Sequence, residues 1–199
     1  MCYNNIMING KTIELFPINV YDGEISEATH NATMNKLKNV QWDYPVEHSS
    51  EAHKMNISDN GTANFQSDVI SQFELTEFAD ELIKHIEEYS KSIGSYIGNF
   101  SRTSWITKYE KGDYAQQHSH GSASISVAYY IASNGKDGDF YFSSPGQQKF
   151  TANTSHLPNI VRIPPKERKL LLFPSWLEHG VFKNKTENIR KCLSANIYF

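Results

Sequence analysis

The chain has 199 residues, a formal net charge of −3, 39% hydrophobic residues and 13% aromatic residues. This composition supplies the core of a single domain and argues against global disorder. The small negative charge, with no long run of Lys or Arg, disfavours a nucleic-acid surface. No apolar segment approaches the roughly 20 residues that span a membrane, and the N-terminus lacks the pattern of a signal peptide. We therefore expect a cytoplasmic protein.

The two cysteines, Cys2 and Cys192, do not form the pattern of a disulfide framework. One lies near a terminus and the other in a predicted strand, which is typical of a reducing compartment. The chain also contains six Asn-x-Ser/Thr motifs. Because no secretion signal accompanies them, we interpret them as chance matches.

The first forty residues predict one strand and one helix. Residues 10–22 are rich in β-branched and apolar side chains, and Pro17 within them indicates a strand at the edge of a sheet. Residues 24–39 carry apolar side chains at steps of three and four, which predicts a modest helix.

A polar segment separates this helix from a stronger one. Residues 41–70 predict a long loop, and long loops of this kind are usually lids, binding loops or disordered. Residues 74–93 have a regular apolar stripe that predicts a helix packed on a sheet. Ser71 with Glu74 resembles a capping box at its start, and Gly94 is a suitable C-terminal stop.

The second half of the chain changes to short β-rich segments separated by turns rich in Gly, Pro, Asn and Asp. The predicted strands are 100–109, 123–132, 139–143, 159–163, 169–173, 179–183 and 192–198. Many short strands with even punctuation predict a mainly β fold, namely a jelly-roll core with two or more N-terminal helices packed on one of its sheets. No repeat or linker divides the chain, so we expect one domain.

Three histidines and one arginine in this half form the most informative pattern. His118 and His120 are one residue apart, so on an extended segment both side chains project to the same side. Two imidazoles held in this way can share a metal ion, and His179 from a distant strand could complete one face of its coordination shell. Arg190, eleven positions later, could hold an anionic co-substrate nearby.

Five segments around these residues carry a family resemblance. They are residues 108–114 (KYEKGDY), 128–131 (AYYI), 138–140 (GDF), 171–179 (LLFPSWLEH) and 190–196 (RKCLSAN). In their order and spacing they resemble the iron(II)- and 2-oxoglutarate-dependent oxygenases, whose core is a double-stranded β-helix, a cupin-like jelly roll. The similarity is greatest to small oxygenases of bacteria and bacteriophages, and more distant to the prolyl hydroxylases. It implies an oxygenase domain over the whole chain, with 1–98 as helical support and lid loop and 99–199 as the jelly-roll core.

The resemblance implies that His118 and His179 bind iron. The second ligand of the family is usually Asp or Glu two residues after the first histidine, and this chain has His120 there. Strand alternation favours His120 as a ligand. The alternatives are that His120 swings away and leaves the site open, or that a carboxylate such as Asp113 or Asp139 completes it.

The same resemblance implies that Arg190 binds the distal carboxylate of 2-oxoglutarate, with Tyr130 supporting that carboxylate and Tyr109 lying near the metal-binding end. Cys192 stands where the family has Ser, and a thiol is the weaker hydrogen-bonding group. Two alternatives stay open here. The tyrosines could be ordinary core aromatics with satisfied hydroxyls, and Arg190 could form a surface ion pair.

The implied activity is that of a dioxygenase using Fe(II), 2-oxoglutarate and O₂. It would couple oxidative decarboxylation of 2-oxoglutarate to hydroxylation of an unidentified small-molecule or peptidyl substrate. A zinc hydrolase or lyase could also use three histidines. A non-catalytic, cupin-like binding module is the third alternative, because one fold hosts many functions. Exposed sheet edges also allow a homodimer.

Overall fold

A computed structural model describes residues 17–40, 44–47, 53–57, 68–95, 98–145 and 159–199. This part of the chain contains eleven strands and three helices. The strands are β1 (Tyr21–Glu24), β2 (Tyr44–Glu47), β3 (His53–Ile57), β4 (Ser101–Tyr109), β5 (Tyr114–His118), β6 (Ile125–Ala132), β7 (Phe140–Ser143), β8 (Ile160–Ile163), β9 (Lys169–Pro174), β10 (His179–Val181) and β11 (Arg190–Tyr198). The helices are α1 (Glu27–Leu37), α2 (Val69–Gln72) and α3 (Thr76–Ser92).

The strands form two antiparallel layers. The larger layer has the order β1-β9-β6-β11-β4, and the smaller has the order β5-β10-β7-β8. Strand β3 joins the two layers because it pairs with β4 and with β5, while β2 pairs with β3. This architecture confirms the predicted double-stranded β-helix with helices at its N-terminal side.

The larger layer is buried on both faces, which explains the continuous apolar sequence of its central strands. In β6 the side chains alternate between the two faces. Val127 and Tyr129 belong to the apolar core that includes α3, and Ala128 and Tyr130 belong to a second core that includes Phe140 of the smaller layer. The second core lies between the layers, and it is there that the site is found.

Helix α3 covers the outer face of this sheet, as predicted. Phe78, Leu82 and Ile86 recur at steps of four residues and are fully buried in the outer core. The ring of Phe78 stacks on that of Tyr129, with 4.8 Å between their centroids. Burial of one such side chain stabilises the fold by about 1.5–3 kcal/mol, so the stripe accounts for the docking of the helix.

The ends of the helices differ in part from the predictions. The capping box was wrong, because Ser71 lies in α2 and donates to Asp68, while the N-cap of α3 is Leu75 without a side-chain hydrogen bond. The C-terminal stop is confirmed, because Gly94 has a φ of +69°, which favours glycine. In α1 the Ser26 side chain accepts from the backbone N–H of Thr29 and caps the helix.

Two further predictions need correction. The segment 41–70 is not one long loop, because β2, β3 and the first residues of α2 lie within it. The sequence did not predict these strands because the segment is mostly polar. Strand β3 forms through pairing with β4 and β5, and β2 through pairing with β3, rather than through local propensity. The edge strand predicted over 10–22 begins only at Tyr21 in the described part, and residues 10–16 lie outside it. As predicted, this strand lies at the edge of its sheet.

Two expectations from composition concern the cysteines and membrane-spanning segments. Cys192 is a free, buried thiol, and Cys2 lies outside the described residues. None of the helices in the described ranges is long and apolar enough to cross a membrane.

Candidate metal centre and co-substrate pocket

The three predicted histidines converge at one end of the smaller layer. Their ligand nitrogens all lie within 4.8 Å of one another. His118 is the last residue of β5 and His179 the first of β10, and the two strands pair so that these residues are direct partners. His120 lies beyond the end of β5, where its backbone N–H donates to the carbonyl oxygen of Ser175 at 2.8 Å. The proximity of His120 is therefore confirmed, but a turn anchored on Ser175 produces it rather than strand alternation.

The orientation of two rings is set by backbone carbonyls. The Nδ1 atoms of His118 and His179 lie 2.8 Å from the carbonyl oxygens of Gln116 and Leu177. A carbonyl oxygen can only accept, so each Nδ1 carries the proton and each Nε2 keeps a lone pair for a metal. This is the pattern of a prepared metal ligand.

Burial keeps these imidazoles neutral. It lowers the pKa of His118, and it lowers the pKa of His179 well below its usual value, with the neighbouring His118 adding to the effect. The ring of His179 is enclosed by Phe140, stacked at 5.4 Å between centroids, and by Phe173 at 4.7 Å. Neutral imidazole is the form that binds metal ions, so the protein disfavours the competing proton.

The cluster consists of imidazoles alone. Within the described ranges, no Asp or Glu oxygen joins the three histidines. The alternative that Asp113 completes the site is wrong here, since its carboxylate accepts from the backbone N–H of Glu110 in the turn before β5. Asp139 is likewise not part of the cluster. Three imidazoles on one side of a metal leave positions open for other ligands, and they suit Fe(II), Zn(II) and Cu(II).

A cavity of about 250 Å³ extends from the histidines between the two layers. Arg190, the first residue of β11, lines it and is only 1% exposed. Its guanidinium carbon lies 4.1 Å from the ring centroid of Tyr109 and 5.9 Å from that of Tyr130, and its Nη1 donates to the carbonyl oxygen of Gly138 at 2.7 Å. Among the described residues no carboxylate pairs with it, so the alternative of a surface ion pair is wrong.

Two buried polar atoms at this position have no partner within the described part of the chain. They are the guanidinium Nε of Arg190 and the hydroxyl of Tyr130. Each unsatisfied group costs about 1–3 kcal/mol, and an uncompensated buried charge costs several kcal/mol more. A bound carboxylate would satisfy both atoms and balance the charge. Thus the alternative of an ordinary core tyrosine with a satisfied hydroxyl does not hold for Tyr130.

The remaining predicted pocket residues are also in place. Tyr109 and Cys192 both line the cavity. Burial raises the pKa of Tyr109 to about 12 and that of the Cys192 thiol to about 11, so both groups stay protonated at neutral pH. Burial raises the pKa of Tyr130 as well. The pocket thus offers neutral donors and one cation to an anionic ligand.

Comparison with known sequences agrees with this chemistry. Residues 103–196 match a family described as "Putative 2OG-Fe(II) oxygenase". Over this segment, just under half of the chain, the sequence is similar to the 2OG-Fe(II) oxygenase family. The matched segment contains the three histidines and Arg190, and the family implies Fe(II) and 2-oxoglutarate as cofactor and co-substrate. No curated protein has significant sequence similarity to the chain.

Solved structures of 2OG oxygenases share the fold. HygX from Streptomyces hygroscopicus, with nickel and 2-oxoglutarate bound, is 10% identical with a TM-score of 0.60, and the match covers 91% of this chain and 83% of that one. A prolyl-4-hydroxylase from Pseudomonas putida is 13% identical with a TM-score of 0.58, covering 91% and 92%. A prolyl hydroxylase from Trichoplax adhaerens, in complex with a peptide fragment, is 15% identical with a TM-score of 0.58, covering 91% and 83%.

The turn that supports Arg190 in this protein was not predicted as functional. Asp137 is fully buried and accepts from the Ser133 hydroxyl, the Asn134 backbone and the Asn188 side chain. It thereby fixes the turn that ends at Gly138, whose carbonyl oxygen is the partner of Arg190. The sequence signal was the Asn-Gly-Lys-Asp-Gly segment, which indicated a turn but not the contact of that turn with Arg190.

Two tryptophans lie near the site in different environments. Trp105 is buried and lines the cavity, and its ring centroid lies 5.8 Å from that of His120. Trp176 is 53% exposed and is not among the described residues that line the cavity.

Proposed function

We propose that the protein is an Fe(II)- and 2-oxoglutarate-dependent dioxygenase that hydroxylates its substrate while 2-oxoglutarate is converted to succinate and CO₂. One observation carries this proposal. A single cavity contains three converging histidines and a buried guanidinium that has no counter-charge among the residues that the structure describes. The first group suits a metal with open positions, and the second suits the distal carboxylate of a dicarboxylic acid.

Five residues of the cavity have a specific role in this proposal. His118, His120 and His179 hold the iron through imidazole nitrogens. Arg190 binds the distal carboxylate, and Tyr130 donates its unpaired hydroxyl proton to the same group. When bound, the iron with 2-oxoglutarate and O₂ supplies the oxidising power. The protein contributes position, a neutral set of ligands and exclusion of water.

His120 distinguishes this site from the usual pattern of the family. A carboxylate ligand would lower the formal charge of the metal site by one, and a neutral imidazole does not. We propose that His120 is nevertheless a ligand, because its ligand nitrogen lies within 4.8 Å of those of both other histidines. A carboxylate of 2-oxoglutarate would then be the first anionic ligand of the metal.

The substrate class stays open between small molecules and peptides. Structurally similar proteins include one solved with hygromycin B and one solved with a peptide fragment, at 12% and 15% identity. For this chain we propose a small-molecule or peptidyl substrate, since the chain lacks the Lys and Arg runs that phosphate contacts need. A zinc hydrolase could use the same three imidazoles, but nothing in its chemistry requires the buried guanidinium.

Anaerobic titration tests the proposal. Addition of Fe(II) and then 2-oxoglutarate should produce the weak visible charge-transfer band of the chelate, and admission of air should yield succinate. His118→Ala should abolish the band. His85→Ala is the matched control, because His85 lies on α3 outside the cluster and bonds to Tyr21. Absence of the band in the unmodified protein, together with tight stoichiometric zinc binding, would contradict the proposal and favour a hydrolase.

A further inference from the structure

A chain of three buried polar side chains lies in the interior beside the histidine cluster. The hydroxyl oxygen of Ser126 lies 2.9 Å from that of Ser175 and 3.0 Å from Oδ1 of Asn196. Asn196 is only 6% exposed, and the two serines are buried more deeply. Both Asn196 and Ser126 line the cavity. Buried polar groups of this kind require hydrogen-bond partners, so the donor and acceptor roles of these three side chains matter.

The direction of these hydrogen bonds follows from the number of protons. A serine hydroxyl has one proton, and Oδ1 of Asn196 can only accept. Ser126 is the donor in both contacts, so its one proton is shared between Oδ1 of Asn196 and the hydroxyl oxygen of Ser175. This arrangement occupies the oxygen of the Asn196 amide and leaves its Nδ2, with two N–H donors, without an acceptor among the described residues. The amide thus offers hydrogen-bond donors to a ligand in the cavity.

The position of Asn196 places these donors on the side of the histidine cluster away from Arg190. Asn196 and Arg190 lie on β11 six residues apart, a separation of about 20 Å along an extended strand, and both line the cavity. Between them Ser194 pairs with Trp105, whose ring lies near that of His120. The order along the cavity is therefore Arg190, the metal ligands and Asn196.

The same chain is connected to the metal ligands. The carbonyl oxygen of Ser175 accepts from the backbone N–H of His120, while its hydroxyl oxygen accepts from Ser126, which also donates to Asn196. Ser175 thus contacts both the turn that carries His120 and the hydroxyl that orients the Asn196 amide. A substrate group bound to that amide would be held at a fixed distance from the metal.

The cavity lining limits the charge of such a group. Among the described lining residues there is no Asp, Glu or Lys, and Arg190 is the one permanently charged side chain. A charged substrate group beside Asn196 would lose its water without gaining a counter-charge. An amide nitrogen needs an acceptor, and an uncharged acceptor is a carbonyl or hydroxyl oxygen.

We infer that Asn196, oriented by Ser126 and Ser175, is a specificity-determining residue that binds an uncharged carbonyl or hydroxyl oxygen of the substrate. This inference rests on the proposed function, since it assumes that the metal and 2-oxoglutarate occupy the other part of the cavity. It assigns the substrate class to neutral amides, esters, ketones or alcohols rather than to acids or amines.

Three compounds of the same size and different charge test the inference. Butyramide, butyrate and butylammonium are titrated separately into zinc-loaded protein saturated with 2-oxoglutarate, and binding is measured by saturation-transfer NMR. In the unmodified protein the amide should bind most tightly. Asn196→Asp keeps an acceptor for Ser126 but removes the two N–H donors, so it should weaken amide binding about five- to tenfold and shift the preference to butylammonium. Asn196→Leu should weaken butyramide binding without creating a preference for butylammonium.

Control measurements separate the possible failures. Asn35→Asp, at an exposed position of α1, should leave the preference unchanged. Equal binding of butyrate and butyramide, no binding of any of the three, or an unchanged preference in Asn196→Asp would each overturn the inference. The iron and 2-oxoglutarate band is recorded for the same proteins. A normal band without amide preference overturns only the subsite, whereas no band in the unmodified protein overturns the oxygenase assignment.

Discussion

Replacement of Arg190 by Met should separate co-substrate binding from stability. The side chain keeps a similar length and apolar stem but loses the guanidinium. Because that guanidinium has no carboxylate partner among the described residues, its value to the protein should come from the ligand. We therefore expect Arg190→Met to lose affinity for 2-oxoglutarate while the ligand-free protein stays folded.

The expected magnitudes follow from the contacts. Removal of one partner of a buried charge pair costs about 2–5 kcal/mol, or about 30- to 5,000-fold in the dissociation constant of 2-oxoglutarate. In the ligand-free protein, loss of the contact with Tyr109 costs about 1–2 kcal/mol, and the unpaired carbonyl of Gly138 costs about 1–3 kcal/mol. Removal of the buried charge in Arg190→Met stabilises the ligand-free protein by several kcal/mol. The free energy of unfolding should change by less than about 2 kcal/mol.

Isothermal titration of zinc-loaded protein with 2-oxoglutarate measures the first quantity, and urea unfolding of the ligand-free protein measures the second. Arg162→Met is the matched control, since Arg162 lies over the Phe182 ring at 4.2 Å but is exposed and does not line the cavity. Unchanged 2-oxoglutarate affinity in Arg190→Met would refute the assignment of the distal carboxylate. A loss of stability above about 4 kcal/mol would refute the argument that the guanidinium is uncompensated.

Three further predictions concern the metal ligand, the supporting turn and pH. In equilibrium dialysis, His120→Asp should still bind one metal ion per chain, whereas His120→Ala should bind the metal at least tenfold more weakly. Equal metal affinities of the two variants and the unmodified protein would show that His120 is not a ligand. Gly138→Ala should destabilise the fold by more than about 3 kcal/mol in urea unfolding and weaken 2-oxoglutarate binding, because φ is +101° and the added carbon would meet the Phe182 carbonyl oxygen at 2.3 Å. Gly112→Ala, at φ +94° in open space, should cost only about 1 kcal/mol, and similar losses would contradict the steric argument. Burial lowers the pKa of His179 well below its usual 6.5, so below about pH 6.5 the unfolded chain takes up a proton that the folded chain does not. The metal-free protein should therefore lose stability as the pH falls from 7.5 to 5.5. Urea midpoints that do not change with pH would disprove this.

The sequence predicted those parts of the fold whose cause is local. The apolar stripe of α3 and the continuous apolar segments of β6 and β9 are visible as patterns, because each buries its own side chains. Strands β2, β3 and β5 were missed because they lack a regular apolar pattern. Strands β3 and β5 form hydrogen bonds to distant partners, and β2 pairs with β3, and no local pattern predicts those contacts.

The site shows the same division. His118, His179 and Arg190 could be predicted from spacing and family resemblance, and the structure places all three in the cavity. The roles of Gly138 and Asn196 could not, since they depend on the register of β11 and on a turn from another segment. The sequence indicated a turn at the former and a core strand at the latter.

A crystal structure of the protein with Mn(II) and 2-oxoglutarate tests the central claim most directly. The account predicts one metal ion bound by nitrogens of His118, His120 and His179, with the distal carboxylate of 2-oxoglutarate in contact with Nε of Arg190 and the hydroxyl of Tyr130. A metal ion held by other residues, or a 2-oxoglutarate carboxylate that lies away from Arg190, would contradict it.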